Sequence, residues 1–456
     1  MTRTTAGAVA TAPVRPRVIV VAYHYPPDPA VGSLRARNVA QALAAAGHEV
    51  FVVSVARPDA PAEASDGPVR VVRVTPWPSV REVIGRAKKA VSRKKAPKQT
   101  DSVERKQAAA SGQAWRSPTK VSTIKRWLGA VMWLPDDMHG FIVPAARSAA
   151  NLMRGDGNDL LYTTAPPFSD LLVGLAALRH RAFRWILEYR DPWTDNIHKP
   201  WFVRAKGTDA LERWAERKCI ERADGVVPVA GIFADILVGR FGTALSNKML
   251  LVRNGIPSAA RPTPSDPNRF RIVYAGSFYI RRDPRPFFNA LSKINARGGL
   301  ARKLDVRLVG DCRYFEGEPL APQIEQLGLT DVVTFVDWLP HKESVQLMAS
   351  ADLLLLLAQD QPYSIPNKVY EYLGSEKRIL AVVDEEGETA RLLREVGGHF
   401  VLNEHSPSDA MERALTEALA TPPSTATELS PALVPLTTEA QMKKLTEWIA
   451  TMHRAS

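Results

Sequence analysis

The sequence predicts an α/β protein built from two doubly wound, Rossmann-like domains. Three observations lead to this prediction. The chain has 456 residues, of which 45% are hydrophobic. A chain of this length is larger than a single hydrophobic core usually becomes, so two domains are expected. Apolar strands alternate with helical segments, the order that produces parallel sheets. The alternation starts twice, near residues 17 and 270, on either side of a Pro- and Ser-containing linker over 262–268.

The first half opens with a βαβ unit. Residues 17–22 form a near-continuous apolar strand, a helix follows from about Leu34 to Ala46, and a second strand covers 50–55. A Pro-rich loop precedes this helix and contains Gly32, so flexible backbone meets a helix N-terminus, as it does in phosphate sites. The loop has no GxGxxG pattern, which weakens a dinucleotide-binding interpretation.

The same pattern continues toward the end of the first half. The predicted elements are a helix over 145–152, a strand over 160–163, a strand over 185–189, a helix over 209–222 and a strand over 226–229. Loops at strand carboxyl ends bind ligands in open parallel sheets. The polar candidates in this region are His139, Thr164, Arg190 and Asp191. Asp191 suits catalysis, but a helix cap or a loop ion pair with Arg190 explains it nearly as well.

The second half restarts the alternation. The predicted elements are strands over 270–275, 305–309, 334–336 and 353–357, a helix over 286–294 and an amphipathic terminal helix over 439–453. The loop after its first strand carries Gly276, Arg281 and Arg282. A glycine lets a phosphate approach the backbone, and an arginine can bind a phosphate through two N–H groups. A surface ion cluster is the alternative interpretation of this loop.

The segment after the apolar run 353–357 is the most informative stretch of the chain. Pro366 suits a first helical turn, whose free N–H groups attract phosphate. Lys368 adds positive charge, and the Glu371 carboxylate can accept two hydrogen bonds from a ribose diol. The pattern predicts a nucleotide-sugar site, although an ordinary loop with solvated charges explains this segment alone about as well.

Composition excludes several classes of protein. Only Cys219 and Cys312 occur, far apart, which argues for a reducing compartment and against a structural zinc. Residues 1–16 lack the apolar core of a signal peptide, and no apolar run reaches the ~18 residues that span a bilayer. We therefore expect a cytoplasmic protein, peripheral to the inner face of the membrane if it contacts one at all.

The positive charge is concentrated in one segment. The net charge is +12, and residues 81–106 hold ten basic residues against three acidic ones. The first half of this segment places apolar residues on one helical stripe with cations around it, as in a helix that lies on anionic lipid. A solvated insertion is the alternative. No aromatic residues are interleaved with the cations, so nucleic acid is not an expected partner.

Several of these motifs resemble the retaining GT-B glycosyltransferases of family four. Residues 47–50 read Gly-His-Glu-Val, as at the family's second strand, and residues 336–340 resemble its base-binding loop. Glu371 matches the second Glu of the family's paired motif, whereas the first falls on Tyr363. The chain thus resembles the subgroup with Pro-Asn-Lys before a single remaining Glu. The resemblance covers nearly the whole chain except the tail and residues 80–130.

The resemblance implies a function and a set of site residues. It implies transfer of a sugar, with retention, from a nucleotide-diphosphate sugar to an unknown acceptor, for which a lipid-linked compound is one option. The implied donor-binding residues are Gly32, Gly276, Arg281, Arg282, Leu339, Pro366, Lys368 and Glu371. The implied acceptor-binding residues are His139, Thr164, Arg190 and Asp191, and the implied catalytic residues are Asp191, Arg282 and Lys368. No Asp-x-Asp pair occurs, so we expect neither a metal nor a cofactor.

The resemblance also implies the GT-B fold, in which the two Rossmann-like domains face each other across a cleft, and an organisation in four parts. These are a tail over 1–16, an acceptor domain over 17–260 with a basic insertion at about 80–130, a donor domain over 261–437, and a helix over 438–456 that crosses back to the first domain. Two other functions fit the same fold. One is a nucleotide-sugar epimerase, and the other is a non-catalytic, membrane-associated protein that binds sugar nucleotides. Donor hydrolysis distinguishes the three, while the sugar, base, acceptor and pathway stay open, with cell-surface polysaccharide and glycosylated metabolites both compatible.

Overall fold

The structure is a computed structural model of the chain. It describes residues 16–79, 82–83, 133–180, 182–195, 206–278, 282–359, 361–407, 409–422 and 424–454, with no description of the side chains of Val31, Lys206, His453 and Arg454. The predicted tail and the basic segment 81–106 therefore lie outside the described residues, except for Pro16, Glu82 and Val83. Arg281 also lies outside them.

The first half forms a seven-stranded sheet. In chain order its elements are β1 (Arg17–Val21), α1 (Val31–Ala45), β2 (Glu49–Val55), β3 (Glu63–Asp66), β4 (Val69–Val74), α2 (Ile142–Leu152), β5 (Leu160–Ala165), α3 (Ser169–Ala177), β6 (Arg184–Tyr189), α4 (Lys206–Arg222), β7 (Gly225–Pro228) and α5 (Gly231–Phe241). The strand order is β3-β4-β2-β1-β5-β6-β7, and only the edge strand β3 runs antiparallel to its neighbour. From β1 the chain first adds strands on one side of the sheet and then, starting with β5, on the other side. The loops after β1 and β5 therefore flank a topological switch point, the place where open parallel sheets bind ligands.

The second half forms a six-stranded, all-parallel sheet. Its elements are β8 (Arg269–Ala275), α6 (Arg285–Arg297), β9 (Lys303–Val309), the hairpin β10 (Tyr314–Phe315) and β11 (Glu318–Pro319), α7 (Ala321–Gln326), β12 (Val333–Val336), α8 (His341–Ala349), β13 (Leu353–Ala358), α9 (Asn367–Gly374), β14 (Arg378–Val383), α10 (Glu388–Val396), β15 (Phe400–Leu402), α11 (Ala410–Ala420) and α12 (Thr438–Arg454). The strand order is β12-β9-β8-β13-β14-β15.

Each sheet is covered on both faces. Successive residues of β1 point to opposite sides, so Ile19 and Val21 belong to one buried cluster while Val18 and Val20 belong to another. The second sheet shows the same division, with Leu353 and Leu355 in one cluster and the intervening Leu354 in another. This is why the strands are almost continuously apolar, as parallel strands buried on both faces require.

The terminal helix α12 packs against the first sheet although the chain before it belongs to the second. Met442, Leu445 and Ile449 are buried in the same cluster as Val18 and Val20 of β1. The crossing is fixed at Gly255, where φ is +85° and an added Cβ would lie 2.7 Å from Thr438 Cα. A side chain does not fit there, so the Asn-Gly turn and the start of α12 can approach closely.

The two doubly wound sheets confirm the predicted fold class, and most predicted elements are observed within three residues of their expected bounds. The structure adds strands that the sequence analysis did not name, among them β3, β4, β14 and β15. It also begins α1 at Val31 rather than Leu34. In the described residues, no helix is long and apolar enough to cross a membrane.

Candidate functional site

A cleft of about 540 Å³ lies between the two domains. Its first wall comes from the loops after β1, β5 and β6 and from the segment that precedes α2. Its second wall comes from the loop between β13 and α9. Both walls are thus built at the carboxyl ends of parallel strands, where the sequence predicted the polar candidates to gather.

Gly32 and Arg190 form the floor of the first wall. An added Cβ at Gly32 would lie 1.7 Å from Arg190 Nη1, so the guanidinium lies directly against the first turn of α1. Arg190 Nε donates to the Ala165 carbonyl at 3.3 Å, and Nη2 donates to the Pro166 carbonyl. Burial lowers the pKa of Arg190 from its usual value. Asp191, Pro366 and these two residues line the same cleft, so the structure brings four predicted site residues together.

A buried ion pair supports this floor from below. Arg35 Nη2 and Nε donate to Glu188 Oε1 at 2.7 and 2.9 Å. Tyr162 Oη donates to the same oxygen at 2.8 Å, and Thr164 Oγ1 donates to Glu188 Oε2 at 2.5 Å. Burial opposes ionisation of Glu188, but the adjacent Arg35 charge outweighs it and holds the pKa of Glu188 below its usual value. The Thr164 side chain is therefore buried in the interior of the first domain, where it binds Glu188. Thr164 is not among the residues that line the cleft, where it was predicted to contact the acceptor.

Asp136 anchors the segment that precedes α2. Its carboxylate accepts hydrogen bonds from the Ser169 backbone N–H at 2.9 Å, the Ser169 hydroxyl at 2.5 Å and the Met138 N–H at 3.0 Å. Burial nevertheless raises the pKa of Asp136. Asp136, Asp137 and Met138 line the cleft, whereas His139 is not among its lining residues and its Nδ1 lies 2.9 Å from the Asp136 carbonyl oxygen.

The second wall begins at the N-terminus of α9. Pro366 is the residue before this helix, so the free N–H groups of the first turn lie beside it. Asn254, from the turn that joins the domains, donates through Nδ2 to Asn367 Oδ1 at 2.8 Å. Both asparagines line the cleft, and this bond joins the connecting turn to the second wall.

Glu371 lies one turn further along α9, between two groups that can be cationic. Lys368 Nζ is 2.8 Å from Glu371 Oε2, and His341 Nε2 is 3.0 Å from Glu371 Oε1. The carboxylate is mostly shielded from solvent, whereas the His341 ring is more than half exposed. The sequence analysis missed His341. The available signal was a histidine directly after the predicted base-binding loop 336–340, at a helix start.

The remaining donor candidates lie along the same edge of the second sheet. Gly276 follows β8, and its N–H donates to the Val309 carbonyl at 2.9 Å, which ties the loops after β8 and β9 together. Arg282 lies between β8 and α6, and Leu339 follows β12. Since β8 and β13 are neighbours in the sheet, the segments that carry Arg282 and Lys368 leave adjacent strand ends.

Two further residues of this site were missed. Glu188 interrupts the apolar strand β6, and Arg35 lies on the buried side of α1. A charged residue inside an otherwise buried strand signals a partner, because isolated buried charges are too costly. In the part of the chain that the structure describes, no three His, Cys, Asp or Glu side chains are grouped so that they could hold a metal ion.

Comparisons with known proteins show the same architecture at low sequence identity. Sucrose-phosphate synthase from Thermosynechococcus elongatus is 16% identical with a TM-score of 0.61, and 97% of this chain aligns with 100% of that chain. Trehalose 6-phosphate synthase from Burkholderia multivorans is 15% identical with a TM-score of 0.57, covering 97% and 98% of the two chains. HepE from Anabaena, solved with UDP and glucose, is 16% identical with a TM-score of 0.55, covering 97% and 100%.

No protein-family model matches the chain, and no curated protein sequence matches it. The likeness to the solved structures extends over nearly the whole chain. The chain therefore has the GT-B fold, as the resemblance in its sequence implied.

Proposed function

We propose that the protein is a glycosyltransferase that transfers a sugar from a nucleotide-diphosphate sugar to a hydroxyl-bearing acceptor. Two of the similar folds belong to synthases of sugar phosphates, and the HepE structures contain UDP, UDP with glucose, or UDP-glucose. The single observation that carries the proposal is the arrangement of Glu371 on the second turn of α9, with Lys368 and His341 on its two oxygens.

This arrangement suits the nucleotide end of a donor. A carboxylate with fixed position can accept hydrogen bonds from both hydroxyls of a ribose. Lys368 has three N–H donors and uses one of them on Glu371, so others remain for a phosphate oxygen. The helix N-terminus after Pro366 adds partial positive charge in the same place.

Departure of the nucleoside diphosphate is the demanding event in sugar transfer. Negative charge grows on the leaving phosphate as the bond to the anomeric carbon breaks. Lys368, Arg282 and the first turn of α9 are the groups we assign to stabilise that charge, because preorganised cations act most strongly where charge develops. Asp191 and Arg190, across the cleft, would contact the sugar or the acceptor.

Finer features of the reaction follow from the family resemblance. We propose that the anomeric configuration is retained and that no metal takes part, with Arg282 and Lys368 acting where other enzymes use a divalent cation. Membership of family four, in the subgroup with a single motif carboxylate, belongs to this proposal. So does a role in making cell-surface polysaccharide or glycosylated metabolites.

The first test is a thermal-shift panel of UDP-, GDP-, ADP- and dTDP-sugars with the matching nucleoside diphosphates. A ligand that binds only the folded state raises the melting temperature, and the rise grows with the logarithm of the ligand concentration relative to its Kd. We expect stabilisation by one base in particular. A panel in which no nucleotide or nucleotide sugar changes the melting temperature at millimolar concentration would contradict the proposal.

A further inference from the structure

The loop between β1 and α1 places a histidine in the wall of the cleft. His24 lines the cleft, and its Nδ1 lies 2.8 Å from Asp28 Oδ2. The other oxygen, Asp28 Oδ1, accepts a hydrogen bond from the Ala30 N–H at 2.9 Å. Arg57 Nη1 is 3.3 Å from Asp28 Oδ2. The carboxylate therefore lies among three donors, of which the imidazole is one.

Asp28 determines which nitrogen of His24 carries the proton. Burial opposes ionisation of Asp28, but the hydrogen bonds from His24 and Ala30 outweigh it, so the pKa of this carboxyl group lies below its usual value. An ionised carboxylate can only accept hydrogen bonds. Nδ1 must therefore donate, and Nε2 of the neutral ring is then a hydrogen-bond acceptor.

The ring is held in place on several sides. Tyr23 meets it edge to face with ring centroids 5.0 Å apart. The Tyr23 N–H donates to Asp170 Oδ2 at 2.8 Å, and the Tyr23 carbonyl accepts from Ser54 Oγ at 2.9 Å. Ser33 Oγ donates to the Asp28 carbonyl at 2.8 Å. Such support preorganises a side chain for a single geometry.

His24 offers a ligand an imidazole nitrogen, whereas Asp136, Asp137 and Asp191 on the same wall carry carboxylates and Arg190 carries a guanidinium. Arg190 can only donate hydrogen bonds. His139 does not line the cleft. Within the described ranges, the Nδ1 contact with Asp28 is the one hydrogen bond of the His24 ring. Nε2 is thus the nitrogen through which the neutral form of the ring can accept a hydrogen bond from a ligand in this cleft.

We propose that His24 binds the attacking hydroxyl group of the acceptor through Nε2, with Asp28 as the positioning residue that fixes the tautomer. The proposal rests on the proposed function and names the residue that orients the nucleophile. A hydroxyl that donates to Nε2 keeps its oxygen lone pairs available for the anomeric carbon, and holding the two reactants in this geometry accelerates the reaction.

The tautomer can be measured without any ligand. In two-bond ¹H–¹⁵N spectra of the full chain, the His24 signals, identified by their loss in His24→Phe, are expected to show a protonated Nδ1 and a bare Nε2. In Asp28→Asn the amide group can donate to Nδ1, so the proton should move to Nε2. A wild-type ring with its proton on Nε2 would overturn the proposal.

The role in turnover is tested by donor hydrolysis, in which water occupies the place of the acceptor hydroxyl. With the nucleotide sugar that stabilises the wild type most, His24→Phe should lower the hydrolysis rate at saturating donor by about tenfold or more, the effect of losing one oriented hydrogen bond. The affinity for the nucleoside diphosphate should change by less than about twofold. His405→Ala, at a side chain that is 87% exposed, should change neither quantity.

The outcomes separate the two proposals. Hydrolysis by His24→Phe at the wild-type rate overturns the role of His24 while leaving the donor site intact. Loss of nucleotide affinity in His24→Phe equal to its loss of rate also overturns it, because the residue then serves the donor. A wild type that binds no nucleotide sugar refutes the proposed function instead, and the tautomer measurement then decides whether the Asp28–His24 arrangement holds.

Discussion

Glu371 is the residue on which the proposed donor site depends most. Its two oxygens contact Lys368 and His341 at 2.8 and 3.0 Å, so the carboxylate already has a fixed position before a nucleotide arrives. A ribose diol would find an acceptor that needs little reorganisation, which is how preorganised sites gain affinity.

Replacing Glu371 by Ala should weaken binding of the nucleoside diphosphate by about 1.5 to 3 kcal/mol, the usual effect of losing hydrogen bonds to a charged group. Titration calorimetry measures this directly, and circular dichroism checks that the fold is retained. Glu447→Ala serves as the matched control because this carboxylate is 67% exposed on α12. Equal affinities in Glu371→Ala and the wild type would remove Glu371 from the site.

Lys368 and Arg282 test whether the site acts on the leaving group. If charge grows on the diphosphate in the transition state, replacing either residue by Ala should lower kcat by about 10² to 10³ and change donor affinity less. Steady-state kinetics with a chelator present checks this, and we expect the wild type to keep its activity there. A wild type that is inactive in chelator and recovers with magnesium or manganese would contradict a metal-free reaction.

At the scale of elements, α10 of the second domain caps α5 of the first. Glu388 is buried at the start of α10, and its two oxygens accept the Gly231 N–H at 2.7 Å and the Ile232 N–H at 2.8 Å. These are free donors of the first turn of α5, where negative charge is also favourable. One carboxylate thus joins the two domains beside the cleft.

Glu388→Ala would leave two partly buried N–H groups without their acceptor, and we expect it to lower the free energy of unfolding by about 1 to 3 kcal/mol. Urea denaturation followed by fluorescence measures the loss. Glu395→Ala is the control, because Glu395 lies on the same helix with 57% exposure and pairs with Arg253 Nη2 at 3.3 Å instead of with backbone N–H groups of α5. Two variants of equal stability would show that the cap contributes nothing.

The elements differ in how well the sequence predicts them. The run Leu353–Leu357 was recognised because a parallel strand buried on both faces is continuously apolar. The edge strand β3 is short and polar, Glu63–Asp66, and pairs only with β4, so it has no such pattern. Ion pairs between residues that are distant in sequence are even harder to predict. Arg35 and Glu188 lie 153 residues apart, and nothing in either neighbourhood identifies the partner.

The candidate site shows the same division. Lys368 and Glu371 were found because they are three residues apart on a predicted helix start. His341 meets Glu371 only through the packing of α8 beside α9, 30 residues away. His24 lines the cleft because the loop after β1 folds over the end of the sheet, which composition and periodicity do not encode.

For the whole molecule, we propose that the concentration of positive charge at 81–106 brings the protein into contact with anionic membranes. Surface cations contribute about 1 kcal/mol each near such a membrane and are screened by salt. Full-length protein should float with vesicles that contain anionic lipid, less so at high salt, and a variant lacking residues 81–106 should not. Equal flotation of the two proteins would show that the segment is a solvated insertion without membrane contact.

The central claim, that two Rossmann-like domains form a glycosyl-transfer site between them, is tested most directly by the products formed from the nucleotide sugar that stabilises the protein. Nuclear magnetic resonance follows the nucleoside diphosphate and the sugar in one experiment. The account predicts release of nucleoside diphosphate together with free or transferred sugar, and a slower release in Lys368→Ala. A nucleotide sugar that is recovered as its epimer, or recovered unchanged under conditions where it is bound, would contradict it.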